Sequence, residues 1–394
     1  MNKITQTFQG LTNLQKILVL VISATVLYVL STSIAYSLFT QVIQVPGGSK
    51  ESPTASLPGP TTSVSEEPSE PKTETCPLNG SLHTKKAKDS WEKRRPLAVM
   101  IENHSEARPQ SGLTSADVVY EAVAEGGITR FMSIFYCNLS DVQVGPVKSA
   151  RTYFVDWLGE YDALYAHVGG ANTPGPADAL GQIITFEVKD LNQFSIGFPV
   201  YWRDYQRLGH SVATEHTMYS TTAKLWEVGA KRGWTATDSA GINWDAKFTP
   251  WKFKEEKSGG TTSKITVNFW ESQPDYTVEW DYDSPSNTYK RKNGGALHMD
   301  LDNNTQLSPK NIIVQFEKES NANDGYPGNV HLLYKTLGVG KALFIMDGSV
   351  VEGKWMKSSR TSRSKYVDNN GKEIEFNKGQ IWIQTVPEGS KVSY

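Results

Sequence analysis

Carboxylates, cations, histidines and glycines that could do chemistry gather in the middle of the chain. Glu121, Glu125 and Arg130 flank Gly126-Gly127 within VVYEAVAEGGITRF. Two glycines between alternating segments predict a two-residue hairpin turn, because both positions tolerate positive φ. Pairing outward from that turn sets Val123 opposite Arg130 and Glu121 opposite Met132, so Glu121, Glu125 and Arg130 share one face. Two carboxylates beside a guanidinium could serve as an acid–base pair with an orienting cation; the other reading is a structural ion-pair ladder.

Lys148 and Arg151 follow in GPVKSARTYF, where Ser149 is a plausible N-cap and Phe154, Trp157, Leu158 and Tyr161 recur at helical spacing. Cations in a first helical turn need compensation, from a bound anion or from Glu121 or Glu125. A strand over 163–168 ends at His167 and runs into Gly169-Gly170, the general geometry of an anion cradle. That loop lacks a nucleotide-binding signature. His216 precedes a helix predicted over 221–231. No H-x-x-H or carboxylate-rich pattern accompanies either histidine, so no metal is expected, and no cofactor is indicated. Tyr201, Trp202 and Arg203 open a run that interleaves aromatics with guanidiniums, suited to stacking on a sugar or polymer, or to an ordinary domain edge.

The elements that must position these groups suit an α+β chain of two domains. A mixed α/β domain is predicted over 91–240, and a smaller β-rich domain over 262–394 after the marker Gly259-Gly260-Thr261-Thr262-Ser263. Strands are expected over 265–269, 276–281, 289–291, 296–299, 312–316, 330–334, 342–346 and 381–385, with hairpins at Asn293-Gly294 and Asp347-Gly348. The net charge of -2 gives no signature of nucleic-acid binding. Cys76 and Cys137 could form one disulfide or stay as two buried thiols.

Upstream, 17–39 carries no charge. As a helix rising about 1.5 Å per residue it matches a bilayer core of about 30 Å. Lys3 and Lys16 precede it and no Lys or Arg follows before Lys50, which sets 1–16 in the cytoplasm and the rest outside, in a single-pass topology. A cleaved signal peptide, cut after Ser33-Ile34-Ala35, is the rival reading and gives the same export. No cysteine near the segment could carry a lipid anchor. Residues 40–90 read as a disordered linker rich in Pro, Ser, Thr and Glu.

RPLAVMIENHSEARPQSGLTSADVVYEAVAEGGITRF, GPVKSARTYF and HVGGA, with GKALFIMDGSVVEGKWMK and NKGQIWIQTVP near the end, resemble the YerB-like family of bacterial proteins. The likeness runs from about Arg95 onward and implies a two-domain envelope protein without an assigned activity. The family's better-known members are lipoproteins, whereas this chain has a plain anchor and stalk. The family's usual arginine is Lys148 here, which weakens a bidentate anion clamp at that position.

Two functions fit these residues. One is an extracytoplasmic binding or scaffold module of the cell envelope, holding an anionic polymer or a protein partner through Arg130, Lys148, Arg151 and the Gly169-Gly170 loop, with Tyr201, Trp202 and Arg203 stacking. The other is a hydrolase or transferase acting on a phosphodiester or glycan, with Glu121 or Glu125 as base and His167 or His216 as acid.

Overall fold

The computed structural model describes residues 70–394, except Leu139, together with Gln15, Lys16 and Ile22. Most of the expected anchor and the linker up to residue 69 lie outside the described residues. Among the described residues no helix is long and apolar enough to cross a membrane. The chain divides into units at 1–67 and 68–394, and the second is described below.

A ten-stranded sheet organises this unit. In chain order its strands are β1 (Leu97–Glu102), β2 (Val118–Glu125), β3 (Ile128–Phe135), β4 (Leu164–His167), β5 (Lys189–Asn192), β6 (Asn311–Glu317), β7 (Gly338–Met346), β8 (Ser349–Lys357), β9 (Lys365–Asp368) and β10 (Ile381–Pro387). They lie side by side as β9-β8-β7-β6-β10-β2-β3-β1-β4-β5. The two expected domains therefore share one sheet, because β10 pairs parallel with β2 across the whole sequence. The central strands read LAVMIE, VVYEAVAE and IWIQTVP, nearly continuous apolar runs suited to a sheet covered on both faces. A separate five-stranded sheet holds Lys264–Val267, Val278–Asp283, Thr288–Asn293, Ala296–Leu297 and Val392–Ser393. The expected strands of the C-terminal half are all present, with boundaries moved by a few residues. The turn at Asp347-Gly348 forms with both residues at positive φ, as a tight hairpin requires.

Folding begins before residue 91. Glu74–Thr75 pairs with Leu82–His83, and α1 (Lys85–Trp91) is capped by the Thr84 hydroxyl. Cys76 and Cys137 form a disulfide that ties this segment to the end of β3. The expected disorder thus does not extend through 74–90, where Leu78, Ala87 and Trp91 are buried in the core.

Asp117 lies beneath that junction, fully buried, and accepts from the Tyr136 N–H (2.7 Å), the Cys137 N–H (3.0 Å) and Asn79 Nδ2 (3.0 Å). Burial pushes its carboxyl up to about 6, against those bonds and the nearby Arg94 guanidinium. A raised acid pKa means that the native state takes up a proton before the unfolded chain does, so this group favours folding as pH falls through about 6 towards about 4. Relative to Asp117→Asn, the wild type should gain roughly 3 kcal/mol between pH 7 and pH 4, read from paired urea titrations. A pH-independent difference would mean that Asp117 titrates as an ordinary carboxyl.

Candidate functional site

The carboxyl ends of β1, β2 and β4 and the start of β3 lie on one edge of the sheet, where binding sites in α/β sheets form. That edge collects most of the charged groups singled out in the sequence, in a different arrangement from the one expected. The Gly126-Gly127 turn forms as predicted. A bulge between Val123 and Glu125 then shifts the register, so Ala122 faces Arg130 and Glu121 faces Phe131. A one-residue shift sends alternate side chains to opposite faces. Glu121 is therefore separated from Arg130, while Glu125, beyond the bulge, stays with it.

On the face that Arg130 shares with Glu125, Arg130 Nη2 lies 3.0 Å from Glu125 Oε2, and Arg151 pairs with the other oxygen of the same carboxylate. Arg130 also donates to the Ser149 carbonyl (2.7 Å), and Arg151 to the Ala150 carbonyl (2.6 Å). Glu102, directly opposite Arg130 in the sheet, accepts from Lys148 Nζ (2.9 Å) and holds His216 Nδ1 at 2.8 Å. Three cations thus meet two carboxylates and a histidine. Burial pushes the Glu102 carboxyl up, but the His216 hydrogen bond and the Lys148 ammonium outweigh it and leave the group below the ordinary value. Burial also pulls both guanidiniums below the usual arginine value, opposed for each by Tyr153 and Tyr165 among others. Arg151 Nε and the Tyr165 hydroxyl are both buried and have no hydrogen-bond partner. A buried polar atom left unpaired costs about 1–3 kcal/mol, and such atoms also occur away from this edge, at Arg94, Arg291 and Arg363 among others. A cleft of about 310 Å3 lined by Asp162, Phe186, Lys189, Trp244, Phe248 and Arg360 shares no residue with the cluster, so charge rather than cavity shape singles out this edge.

The helix expected from Ser149 starts later. Residues 147–150 are extended and bridge two strands: the Lys148 N–H donates to Met100 and its carbonyl accepts from Val168, while Ala150 pairs with Gly170. The helix α2 is Thr152–Leu158, with Arg151 at the N-cap and no side-chain cap bond, as an arginine has no acceptor to offer. Lys148 therefore lies outside any first turn, and its compensation is Glu102.

Four other expectations are corrected. Glu121 is fully buried on the opposite face, where it accepts from Thr129 (3.0 Å), Arg291 (2.7 Å), Trp382 (3.0 Å) and Gln384 (2.9 Å), which rules out contact with a substrate. His167 is also fully buried, with Nδ1 on the Gly169 carbonyl (2.7 Å) and Nε2 on Asp190 (2.7 Å), leaving no nitrogen free. The glycine loop is not an anion cradle at Gly169, whose N–H donates to Asn192 Oδ1 (3.1 Å); that glycine is needed for its φ of +57° and the Phe194 ring packed against it. Tyr201 is sealed in the core with its hydroxyl on the Leu191 carbonyl, while Trp202 faces Lys224 and Arg203 is bound to Thr214 and Thr217, so they present no common stacking surface.

Sequence reasoning missed Glu102, His104, Glu106 and Tyr165. The first three form the alternating run Glu-Asn-His-Ser-Glu just past an apolar strand, a signal that a strand-end reading could have used. His104 stacks on His216 with ring centroids 4.6 Å apart and planes at 14°.

Two family profiles match this chain in succession: "Protein of unknown function (DUF3048) N-terminal domain" over 82–235 and "Protein of unknown function (DUF3048) C-terminal domain" over 265–383. A curated relative, "Putative lipoprotein YerB" of Bacillus subtilis (strain 168), is 29% identical over 315 residues, covering 79% of this chain and 87% of its own. The crystal structure of the YerB protein from Bacillus subtilis superposes with a TM-score of 0.67 at 27% identity, over 82% of this chain and all of the other. Both domain profiles in order, with a homologue spanning them, show that the chain belongs to the DUF3048 family of YerB-like proteins.

Proposed function

We propose that this protein is an envelope-associated binding protein that works outside the cytoplasm and recognises an anionic group through Arg130 and Arg151. The name of the Bacillus relative, the charge asymmetry around 17–39 and the Cys76–Cys137 disulfide support an extracytoplasmic location. One observation carries the ligand class. Two buried guanidiniums converge on a single carboxylate, Glu125, and Arg151 Nε remains without a partner. Glu125 stands where the chain leaves β2, and a ligand carboxylate or phosphate joins it or takes its place. Geometric complementarity between guanidinium and such oxyanions makes arginine the fitting residue.

A thermal-shift titration of the full chain in mild detergent tests this, with inorganic phosphate and a phosphate-bearing wall polymer as probes. A ligand at 100 times its dissociation constant adds about 2.7 kcal/mol, a rise of a few degrees in Tm. Arg151→Ala should abolish that rise, and Glu125→Gln, which removes the competing carboxylate, should enlarge it. The reading fails if neither probe stabilises the wild type or Glu125→Gln, and a protein partner then becomes the better target. The hydrolase reading through Glu121 and His167 loses both residues to the core; of its groups, Glu125, paired with Arg130 and Arg151, and His216, held by Glu102, remain near the edge.

A further inference from the structure

We propose that His104, Glu106 and His216 bind a divalent transition metal of the zinc class, with Glu102 as the carboxylate that orients His216 from behind. Their ligand atoms lie within 4.8 Å of one another. The inference needs neither Arg130 nor Arg151 and stands apart from the anion reading above.

The argument begins at Glu102. One of its oxygens is held by Lys148, and the other accepts the Nδ1 proton of His216 at 2.8 Å. Committing Nδ1–H to a carboxylate fixes the tautomer and leaves a lone pair on Nε2. A histidine backed by a carboxylate in this way is the recurring arrangement behind metal-ligating imidazoles. His216 Nε2 faces Glu106 Oε2 at 3.8 Å. A lone pair facing a carboxylate is repulsive unless a cation or a proton stands between them. His104 stacks on the same imidazole and adds a third donor.

Two imidazoles and one carboxylate form the donor set of three-ligand zinc sites, which keep a fourth position open. Such bonds of about 2.0–2.2 Å place tetrahedral donors about 3.4 Å apart, so the cluster must contract by about an ångström. Local freedom allows it. The Glu106 side chain is exposed, and His104 makes one weak cap, accepting the Glu106 N–H at 3.2 Å. His216, the buried member, stays fixed by Glu102 while the two outer ligands close on the ion. No local motif marks the set, because His104 and Glu106 follow the end of β1 and His216 lies in a distant turn.

The test uses full-length protein stripped with a chelator and then dialysed against Zn2+, with bound metal measured by elemental analysis and affinity by calorimetry. One equivalent should bind to the wild type, and Mg2+ should not compete, since it favours oxygen donors. His104→Ala, half-exposed and structurally undemanding, should weaken Zn2+ binding by about 100-fold, and Glu102→Gln by about 10–100-fold through the lost orientation of His216. Glu106→Gln provides a second surface variant should His216→Ala fail to fold. Absence of bound zinc in the wild type, or equal affinity in wild type, His104→Ala and Glu106→Gln, overturns the proposal and leaves His216 as a histidine packed between His104 and Glu102.

Discussion

Glu121→Gln should destabilise the protein by about 3–5 kcal/mol, because it leaves the Arg291 guanidinium charged and buried without its counterion. Both side chains of this pair are fully buried, 2.7 Å apart. Arg291 comes from the C-terminal half and Glu121 from β2, so the pair joins the two family domains across the central sheet. Ring faces of Trp382, Trp280 and Phe131 surround the guanidinium with centroids at 4.7, 4.9 and 5.7 Å, a desolvated cation–π cage. Its Nε donates to His298 Nδ1 (2.9 Å), and His298 Nε2 bonds Gln110 Oε1 (2.6 Å). Burial, with the neighbouring Arg291 and Arg108 charges, drives the His298 pKa far below the ordinary value, so the imidazole is neutral. Gln110 in turn donates to Asn103, which also accepts from Asn293. Removing one charge therefore unsettles a chain of buried bonds rather than a single contact. Urea unfolding of Glu121→Gln, Arg291→Met and the double variant measures it. The single variants should lose several kcal/mol each, and the double variant clearly less than their sum, since the uncompensated charge is gone. Additive losses would show that the two groups are not coupled. The same substitution cannot report on catalysis, since its effect is on folding.

How far the sequence discloses this arrangement depends on the range of the interaction. The Gly126-Gly127 and Asp347-Gly348 turns were legible because their backbone conformation is a property of adjacent residues. The C-terminal strands were legible in place, with boundaries moved by a few residues. Their destination was not, since β10 beside β2 is a pairing between residues such as Ile383 and Tyr120 that no local pattern encodes. The bulge between Val123 and Glu125 was invisible for a related reason. VVYEAVAE alternates acceptably in either register, and burial against Trp382 and Arg291 selects the one that turns Glu121 inward. At the site, the relevance of Glu125, Arg130, Lys148 and Arg151 was readable from charge near a turn and a strand end. Their pairing was not: Lys148 meets Glu102 because 147–150 runs extended between β1 and the Gly169 loop, where a helix beginning at Ser149 had been the local expectation. His216 reached the cluster only through tertiary contact with Glu102.

Removing the disulfide should cost about 4 kcal/mol, the loop-closure entropy released when a cross-link between residues this far apart is cut. Cys76 and Cys137 are separated by 61 positions, and the link fastens the 74–91 segment to the end of β3. That segment brings few anchors of its own to the core, chiefly Leu78, Ala87 and Trp91, so its attachment leans on the covalent tie. The effect should not stay local. Asp117 accepts from the Cys137 N–H and from Asn79, three residues beyond Cys76, so loosening the link also disturbs the partners that hold this buried carboxyl. Cys76→Ser with Cys137→Ser, compared with wild type under oxidising and reducing conditions, should show a lower urea midpoint and early proteolytic cleavage between 74 and 91. Reductant should lower the wild type to the level of the double variant and leave the variant unmoved. If reduction leaves the wild-type midpoint where it was, the cross-link contributes nothing to folding and ceases to argue for an oxidising compartment. If the predicted loss appears, a chain retained in a reducing cytoplasm is the less stable form, and export is a condition of its full stability.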